Sequence, residues 1–432
     1  MISLDAPTIV IGRIYPDVRT EQLLNMSNYQ FVNKLVLQNI VVNVHKSRGF
    51  PRPADPPDRP RRRFRGATMA PGPPDPLRIG GTETHILAPP RDSHMEKLSG
   101  TVLAGESFEP VRGHVVVENG RIEAIEEGDP ASTDIVLPAF VNAHTHLGDS
   151  VAKEAAVGLP LGEAVAPPDS LKHRRLAAAD RADLVSAMRR TLRFMERTGT
   201  ISCLDFRESG TAGARALREA GRPLDVEPFI LGSGDASVLD VADGFGASGA
   251  NDDEFADQRA AAAERDVPFA IHAGEPDATD IEPALELDPD LLVHMVHAER
   301  RHLEGVADRS VPVAVCPRAN TVLNVGTPPV RELLDHTTVA LGTDNVMLNP
   351  PSMFREMAYT AKQFNVTARE VLRMATTAGA EIAGLDCGTI DPGRRAALVV
   401  LDGDSDNLAG ADDPVAAVVR RATALDIERV LL

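Results

Sequence analysis

His144 and His146 close the run Leu137-Pro138-Ala139-Phe140-Val141-Asn142-Ala143-His144-Thr145-His146-Leu147 with a single residue between them. Alternate residues of an extended strand share a face, so two imidazoles at this spacing aim the same way and can grip one metal ion. The residues ahead of them, Ile135-Val136-Leu137, are apolar and β-branched and give way to small and polar ones. That is the pattern of a buried parallel strand presenting side chains at its C-terminal end. A pair alone proves little: a chain with 12 His can hold a His-x-His pair by chance, and a satisfied core pair is the competing reading.

Further candidates sit at the ends of other strand-like runs. His272 closes Phe269-Ala270-Ile271, His294 closes Leu291-Leu292-Val293, and Asp344 follows Val339-Ala340-Leu341-Gly342-Thr343. Several imidazoles with one carboxylate suit a borderline cation such as Zn²⁺ or Fe²⁺, and a catalytic site leaves one position for water. Glu275, in His272-Ala273-Gly274-Glu275, can return a carboxylate to the same mouth and move protons without binding the metal. Read alone, it is equally a first-turn glutamate favoured by a helix dipole.

Candidate substrate contacts are less distinctive. Arg207, in Asp205-Phe206-Arg207-Glu208, is placed to hold a carboxylate or to pair with its acidic neighbours. Asn320, Asn345 and Asp149 fall near predicted strand ends. Lys172-His173-Arg174-Arg175 follows a Pro-Pro loop and either lies over the mouth or starts a solvated helix.

These residues need a scaffold that gathers strand ends. Strand-like runs near Ile135–Ala143, Thr200–Phe206, Val226–Leu231, Asp243–Gly246, Pro268–Ile271, Leu291–Val293, Val311–Val315 and Thr338–Leu341 alternate with helix-like stretches such as Arg181–Arg197 and Ala368–Ile382. The count and spacing predict an α/β fold, a (β/α)8 TIM-type barrel whose active site lies at the strand C-terminal ends. The fourth run is the least regular. Short strands flank the barrel on both sides: Thr101–Gly105 and Gly113–Ile125, turning at Asn119-Gly120, precede it, while Ala396–Leu401 and the apolar stretches of Val415–Leu432 follow. They predict a small composite β-sandwich domain from 95–136 and 386–432, with the barrel spanning 137–385.

Residues 1–94 differ from the rest. They carry a net charge of +5 against −23 for the remainder, and 51–94 is dense in Pro and Arg, as in Arg61-Arg62-Arg63 and Pro71-Gly72-Pro73-Pro74. Such a composition cannot bury enough apolar surface to offset chain entropy, so disorder is expected there. A targeting peptide fits poorly, and a regulatory tail is the alternative to the favoured reading, that Met95 is the natural start and 1–94 an upstream stretch.

Overall charge narrows the function. At −18 the chain is a poor partner for nucleic acid, which needs a basic face. No apolar run approaches the ~18 residues that cross a bilayer, so a soluble protein without a membrane partner is expected. Three scattered cysteines, Cys203, Cys316 and Cys387, argue for a reducing compartment, and the cytoplasm is the expected location. Scarce Lys beside abundant Asp and Glu fits a salt-rich cytoplasm or an ordinary acidic enzyme from a GC-rich genome.

The assembled motifs resemble the amidohydrolase superfamily, on the branch of cytosine-deaminase-like and adenosine-deaminase-like enzymes. The matching pieces are Leu137 to His146, His272-Ala273-Gly274-Glu275, Val293-His294, Val315-Cys316-Pro317-Arg318-Ala319-Asn320, Leu341-Gly342-Thr343-Asp344-Asn345 and Gly388-Thr389-Ile390-Asp391-Pro392-Gly393. The resemblance implies one divalent metal ion, zinc first and iron second, on His144, His146, His272 and Asp344. It gives Glu275 the proton shuttle, Asp344 the water's proton, and His294 the polarising role, with His297 as the rival for the last. It further implies deamination of a small N-heterocycle by metal-bound hydroxide. Arg207, His297, Asn320 and Asn345 are then the candidate substrate contacts.

Departures from the family pattern refine this. Ala139 replaces a usual Gly, and Ala397 a usual Asp. The fourth run, Gly244-Phe245-Gly246-Ala247-Ser248-Gly249, lacks the Pro-His-x-Pro-Tyr element of purine and triazine deaminases and any Lys that could bridge two metals. The alternatives are a cyclic-amide ring hydrolase resembling imidazolonepropionase and a non-catalytic scaffold. A homo-oligomer is compatible with all three.

Overall fold

A computed structural model describes residues 95–432, and the leader expected over 1–94 lies outside the described residues. The chain opens with β1 (Met95–Ala104), β2 (Glu109–Glu118), β3 (Arg121–Glu127) and β4 (Ile135–Pro138). Strands β1 and β2 pair antiparallel along their whole length. The β2–β3 hairpin turns at Asn119 and Gly120, whose φ of 53° and 76° supply the left-handed pair that a two-residue turn requires.

The barrel strands follow: β5 (Phe140–His146), β6 (Thr200–Arg207), β7 (Glu227–Gly232), β8 (Gly244–Gly249), β9 (Phe269–Ala273), β10 (Leu291–His294), β11 (Val313–Val315), β12 (Val339–Leu341) and β13 (Asp344–Asn345). Neighbours pair in parallel in the order β12-β11-β10-β9-β8-β7-β6-β5-β13. Strands β12 and β13 are two pieces of one barrel strand: the first pairs with β11, the second with β5, and the sheet thereby returns to its start. The irregular fourth run is present as β8. Helices on the outside bury one face each; Arg181–Arg197, capped by Asp180, turns Val185, Met188, Leu192 and Met195 inward.

At the break between β12 and β13 the chains run unusually close. A Cβ on Gly342 would lie 2.6 Å from His144 Cβ, so only glycine lets this strand approach β5. Asn142 of β5 bridges the gap: its Oδ1 accepts from Thr343 N–H at 3.0 Å, and its Nδ2 donates to Thr343 Oγ1 at 2.7 Å.

After the barrel, β14 (Leu398–Leu401) pairs with β4 and β15 (Ile427–Leu431) pairs with β14, giving one six-stranded sheet in the order β15-β14-β4-β1-β2-β3. Segments on both sides of the barrel therefore contribute to it, but all six strands lie in a single sheet and not in the two facing ones expected. The physical reason is on its faces. Val102, Val136, Leu398 and Val400 form one cluster, while the alternate residues Leu103, Ile135, Leu137, Val399 and Leu401 pack into the main core with the barrel. The barrel itself serves as the second layer.

Two expected elements differ. The run Ile135–Ala143 is not one strand: β4 belongs to the terminal sheet and β5 to the barrel. Pro138 has no N–H to extend a ladder, and the next donors go to different partners, Ala139 N–H to Ala397 O at 2.9 Å and Phe140 N–H to Gly199 O at 2.8 Å. Of Val415–Leu432, read as strand-like, Ile427–Leu431 is a strand but the first part lies in the helix Pro414–Arg420, because Asp413 accepts from Val415 N–H and Ala416 N–H with Pro414 at its first position. Among the described residues no helix is long and apolar enough to cross a membrane.

Candidate metal centre and active site

The strand ends deliver their histidines to one point. His144 and His146 on β5, His272 on β9, His294 on β10 and Asp344 on β13 converge, with the His144 ring centroid 4.9 Å from those of both His146 and His272 and 5.5 Å from that of His294. Asp344 Oδ1 lies 3.3 Å from His144 Nε2 and 3.6 Å from His146 Nε2. Ligand-type atoms of His144, His146 and Asp344 all fall within 4.8 Å of one another, as do those of His144, His272 and His294.

Hydrogen bonds turn two of the rings. His272 Nδ1 is 2.8 Å from Ala247 O, and His146 Nδ1 is 3.1 Å from Phe206 O and 2.8 Å from Glu208 Oε1. A carbonyl only accepts, so each Nδ1 bears hydrogen and each Nε2 is left to face the centre. Both ring nitrogens of His144 are buried with no hydrogen-bond partner. Buried polar atoms without partners are costly, and a cation between these donors would satisfy them. Burial also drives His144 and His294 well below the usual histidine range, His146 to about 3, and lowers His272. Neutral imidazole is the form that binds metal, so the donor set fits a divalent cation.

Beside this set stands a further carboxyl group. A turn after β9 places Glu275: Gly274 has φ 69°, its N–H donates to Asp280 Oδ1 at 2.8 Å, and its carbonyl accepts from His297 N–H at 2.9 Å. Glu275 Oε2 then lies 3.5 Å from His294 Nε2. Burial, and after it the Asp344 carboxylate, pushes Glu275 well above the usual carboxylate range. Asn320, on the helix Pro317–Leu323, links the two: its Nδ2 donates to Glu275 Oε1 at 3.4 Å and is 3.2 Å from His294 Nδ1.

Backbone strain collects here too. His294, Met295 and Asp344 have φ of 77°, 53° and 59°, left-handed conformations that cost non-glycine residues about 1–3 kcal/mol each. Strand pairing and the Met295 N–H to Ala273 O bond at 2.9 Å hold them.

The remaining candidates are placed as follows. Arg207 is 1% exposed and spent on Asp205 and Glu208, so the ion-pair reading describes it and the carboxylate-holding one does not. Asn345 donates to Asp149 Oδ2 at 2.9 Å, and Met347 N–H to Asp149 Oδ1 at 3.1 Å, tying down the loops beside the centre. His297 lies on the loop after β10 with a buried Nε2 that has no partner. Lys172 is buried at 4% exposure and its Nζ reaches His146 Nδ1 at 2.9 Å, so this position does not start a solvated helix. Glu208, which touches Lys172, Arg207 and His146, was legible only as a flank of Arg207. Its signal is an acid directly past β6, the neighbour of the strand that carries His146.

The profile of the Amidohydrolase family matches residues 135–431, and the chain belongs to this family. It is a hydrolase acting on carbon–nitrogen bonds. It is 36% identical over 373 residues to a putative aminohydrolase of Methanothermobacter thermautotrophicus, covering 76% of this chain and 95% of that one. A 5-methylthioadenosine/S-adenosylhomocysteine deaminase of Halobacterium salinarum is 27% identical over 398 residues, covering 78% and 90%. The fold resembles that of an adenosine deaminase from Xanthomonas campestris, solved with bound zinc, at TM-score 0.65 and 20% identity over 78% of this chain and 91% of that one.

Proposed function

We propose that the protein deaminates a small N-heterocycle, with His144, His146, His272 and Asp344 holding one divalent cation, zinc first and iron second. The observation that carries this reading is the pairing of a partly buried Glu275, its carboxyl held well above the usual range, with His294 at 3.5 Å, directly beside the ligand-type set. Relatives named for deamination of adenine-containing compounds support the amine as leaving group.

A divalent cation held by these residues would supply Lewis acidity, lowering the pKa of water toward ~7. The chain's own residues do the rest. Asp344 takes a proton from water, and Glu275 gives its proton to the ring nitrogen. The proton held by Asp344 passes to the departing amine, and Glu275 is re-protonated by the new hydroxyl as it becomes the carbonyl, while His294 Nε2 steadies the oxygen that arrives. Arg207 and Asn345 are engaged by other side chains, which leaves His297 through its unpartnered Nε2, and Asn320 through its Oδ1 alone, as the named contacts that can face substrate.

The test is elemental analysis of the purified full chain, with an ammonia-release screen over pyrimidines, purines, pterins and imidazolones. Near-stoichiometric zinc or iron with ammonia release supports the reading. Metal without ammonia would transfer it to ring hydrolysis, and metal-free wild type without any turnover would favour a non-catalytic scaffold.

A further inference from the structure

His146 differs from the other ligand-type histidines in what stands behind it. His272 leans on a backbone carbonyl alone, whereas His146 Nδ1 faces a carboxylate, Glu208 Oε1, at 2.8 Å. That carboxylate is fully engaged. Its Oε1 also contacts Lys172 Nζ, and its Oε2 contacts Arg207 Nη2, while Arg207 Nη1 reaches Asp205 Oδ1 at 3.5 Å. Lys172 and Arg207 are 4% and 1% exposed, so neither charge is shared with solvent.

Lys172 Nζ and His146 Nδ1 are 2.9 Å apart, yet both are donors when His146 presents Nε2 to the centre. They meet at the same acceptor, Glu208 Oε1. We propose that Glu208, clamped by Lys172 and Arg207, orients His146 toward the metal, and that Lys172 is a positioning residue acting through Glu208. The proposal rests on the metal reading above and adds to it a device outside the ligand set. Because Lys172 comes from the helix Leu171–Ala178, the device ties the long β5–β6 connection to the centre.

The sign of one variant separates this account from its rival. A lysine that only adds positive charge near the ion repels it, so Lys172→Met would tighten binding. A lysine that holds Glu208 in place strengthens binding, so Lys172→Met would loosen it.

The experiment measures zinc affinity of the full chain by competition with a chromophoric chelator, for wild type, Glu208→Gln, Lys172→Met and the double variant. Visible absorption of the Co²⁺-loaded forms and melting of the metal-free forms are recorded alongside. Glu208→Gln is expected to weaken zinc by about ten- to hundred-fold, as loss of an outer partner of a ligating histidine typically does. Lys172→Met is expected to weaken it less, and to add nothing in the Glu208→Gln background. The cobalt spectrum should change in both single variants, and Glu208→Asp should restore most of the affinity. Unchanged or tighter zinc in Lys172→Met overturns the proposal, as does unchanged zinc in Glu208→Gln. If Glu208→Gln fails to fold, the sign for Lys172→Met still decides. Wild type that holds no zinc removes the metal reading itself, and the proposal with it.

Discussion

Asn142 and Thr343 exchange two hydrogen bonds, at 3.0 and 2.7 Å, across the seam where the last barrel strand meets the first. Both lie in the immediate surroundings of the centre, Asn142 two residues before His144 and Thr343 directly before Asp344. Asn142→Ala would leave the Thr343 N–H and hydroxyl buried without that partner, a loss of about 1–3 kcal/mol. Urea unfolding should show that drop, together with easier removal of metal by chelator. A variant as stable as wild type would mean that the seam is held by its backbone alone.

Asn320 joins Glu275 to His294, and its donor to Glu275 favours the ionised carboxylate. Removing that donor raises the Glu275 pKa further. Asn320→Ala is therefore expected to move the Glu275 limb of the pH–rate profile to higher pH, with turnover lowered by roughly ten- to hundred-fold, within the range of acid–base contributions. An unshifted limb would count against the link between Asn320 and Glu275.

Asp149 is held by Asn345 and Met347 but fully buried, and burial is the largest of the causes that raise its pKa to about 7. A carboxyl raised on folding binds its proton more tightly in the folded state. Its contribution to stability is complete below the unfolded pKa near ~4 and is lost as pH climbs through about 7. The metal-free protein should lose this part of its stability between those limits. Asp149→Asn, which stays neutral, should gain on wild type as pH rises from 5 to 8, and a gap that shrinks over that range would refute the assignment.

Metal should stabilise the folded chain, because an assembled donor set exists only there. Stripping with a chelator is expected to lower the melting temperature, and zinc at about a thousand times its Kd should return about 4 kcal/mol. Calcium or magnesium should restore little, since a histidine-rich set suits softer cations. Equal recovery with magnesium would argue against this centre.

The ligand-type residues were legible because each one ends an apolar run, and a parallel barrel presents strand ends at one mouth. What escaped was context that periodicity does not carry. Ile135–Pro138 and Phe140–His146 are contiguous apolar stretches, and nothing in their spacing tells that a handover at Pro138 sends them to different sheets. Val415, Val418 and Val419 favour strand, but the Asp413-Pro414 cap made a helix of them. The Lys172–Glu208–His146 contact joins residues on three separate elements, and only the folded barrel brings them together. Lone charges in a sequence do not announce their partners.

The terminal sheet also sets a timetable. Strand β4 pairs with β14 through contacts such as Pro138 with Leu398, which follows it by roughly 260 residues. At a synthesis rate of roughly 5–20 residues per second, β4 waits tens of seconds on the ribosome with one edge unpaired. That edge leads straight into the strand bearing His144 and His146. In the nascent chain an unpaired edge therefore persists beside the segment that carries the ligand-type histidines until the last strands emerge.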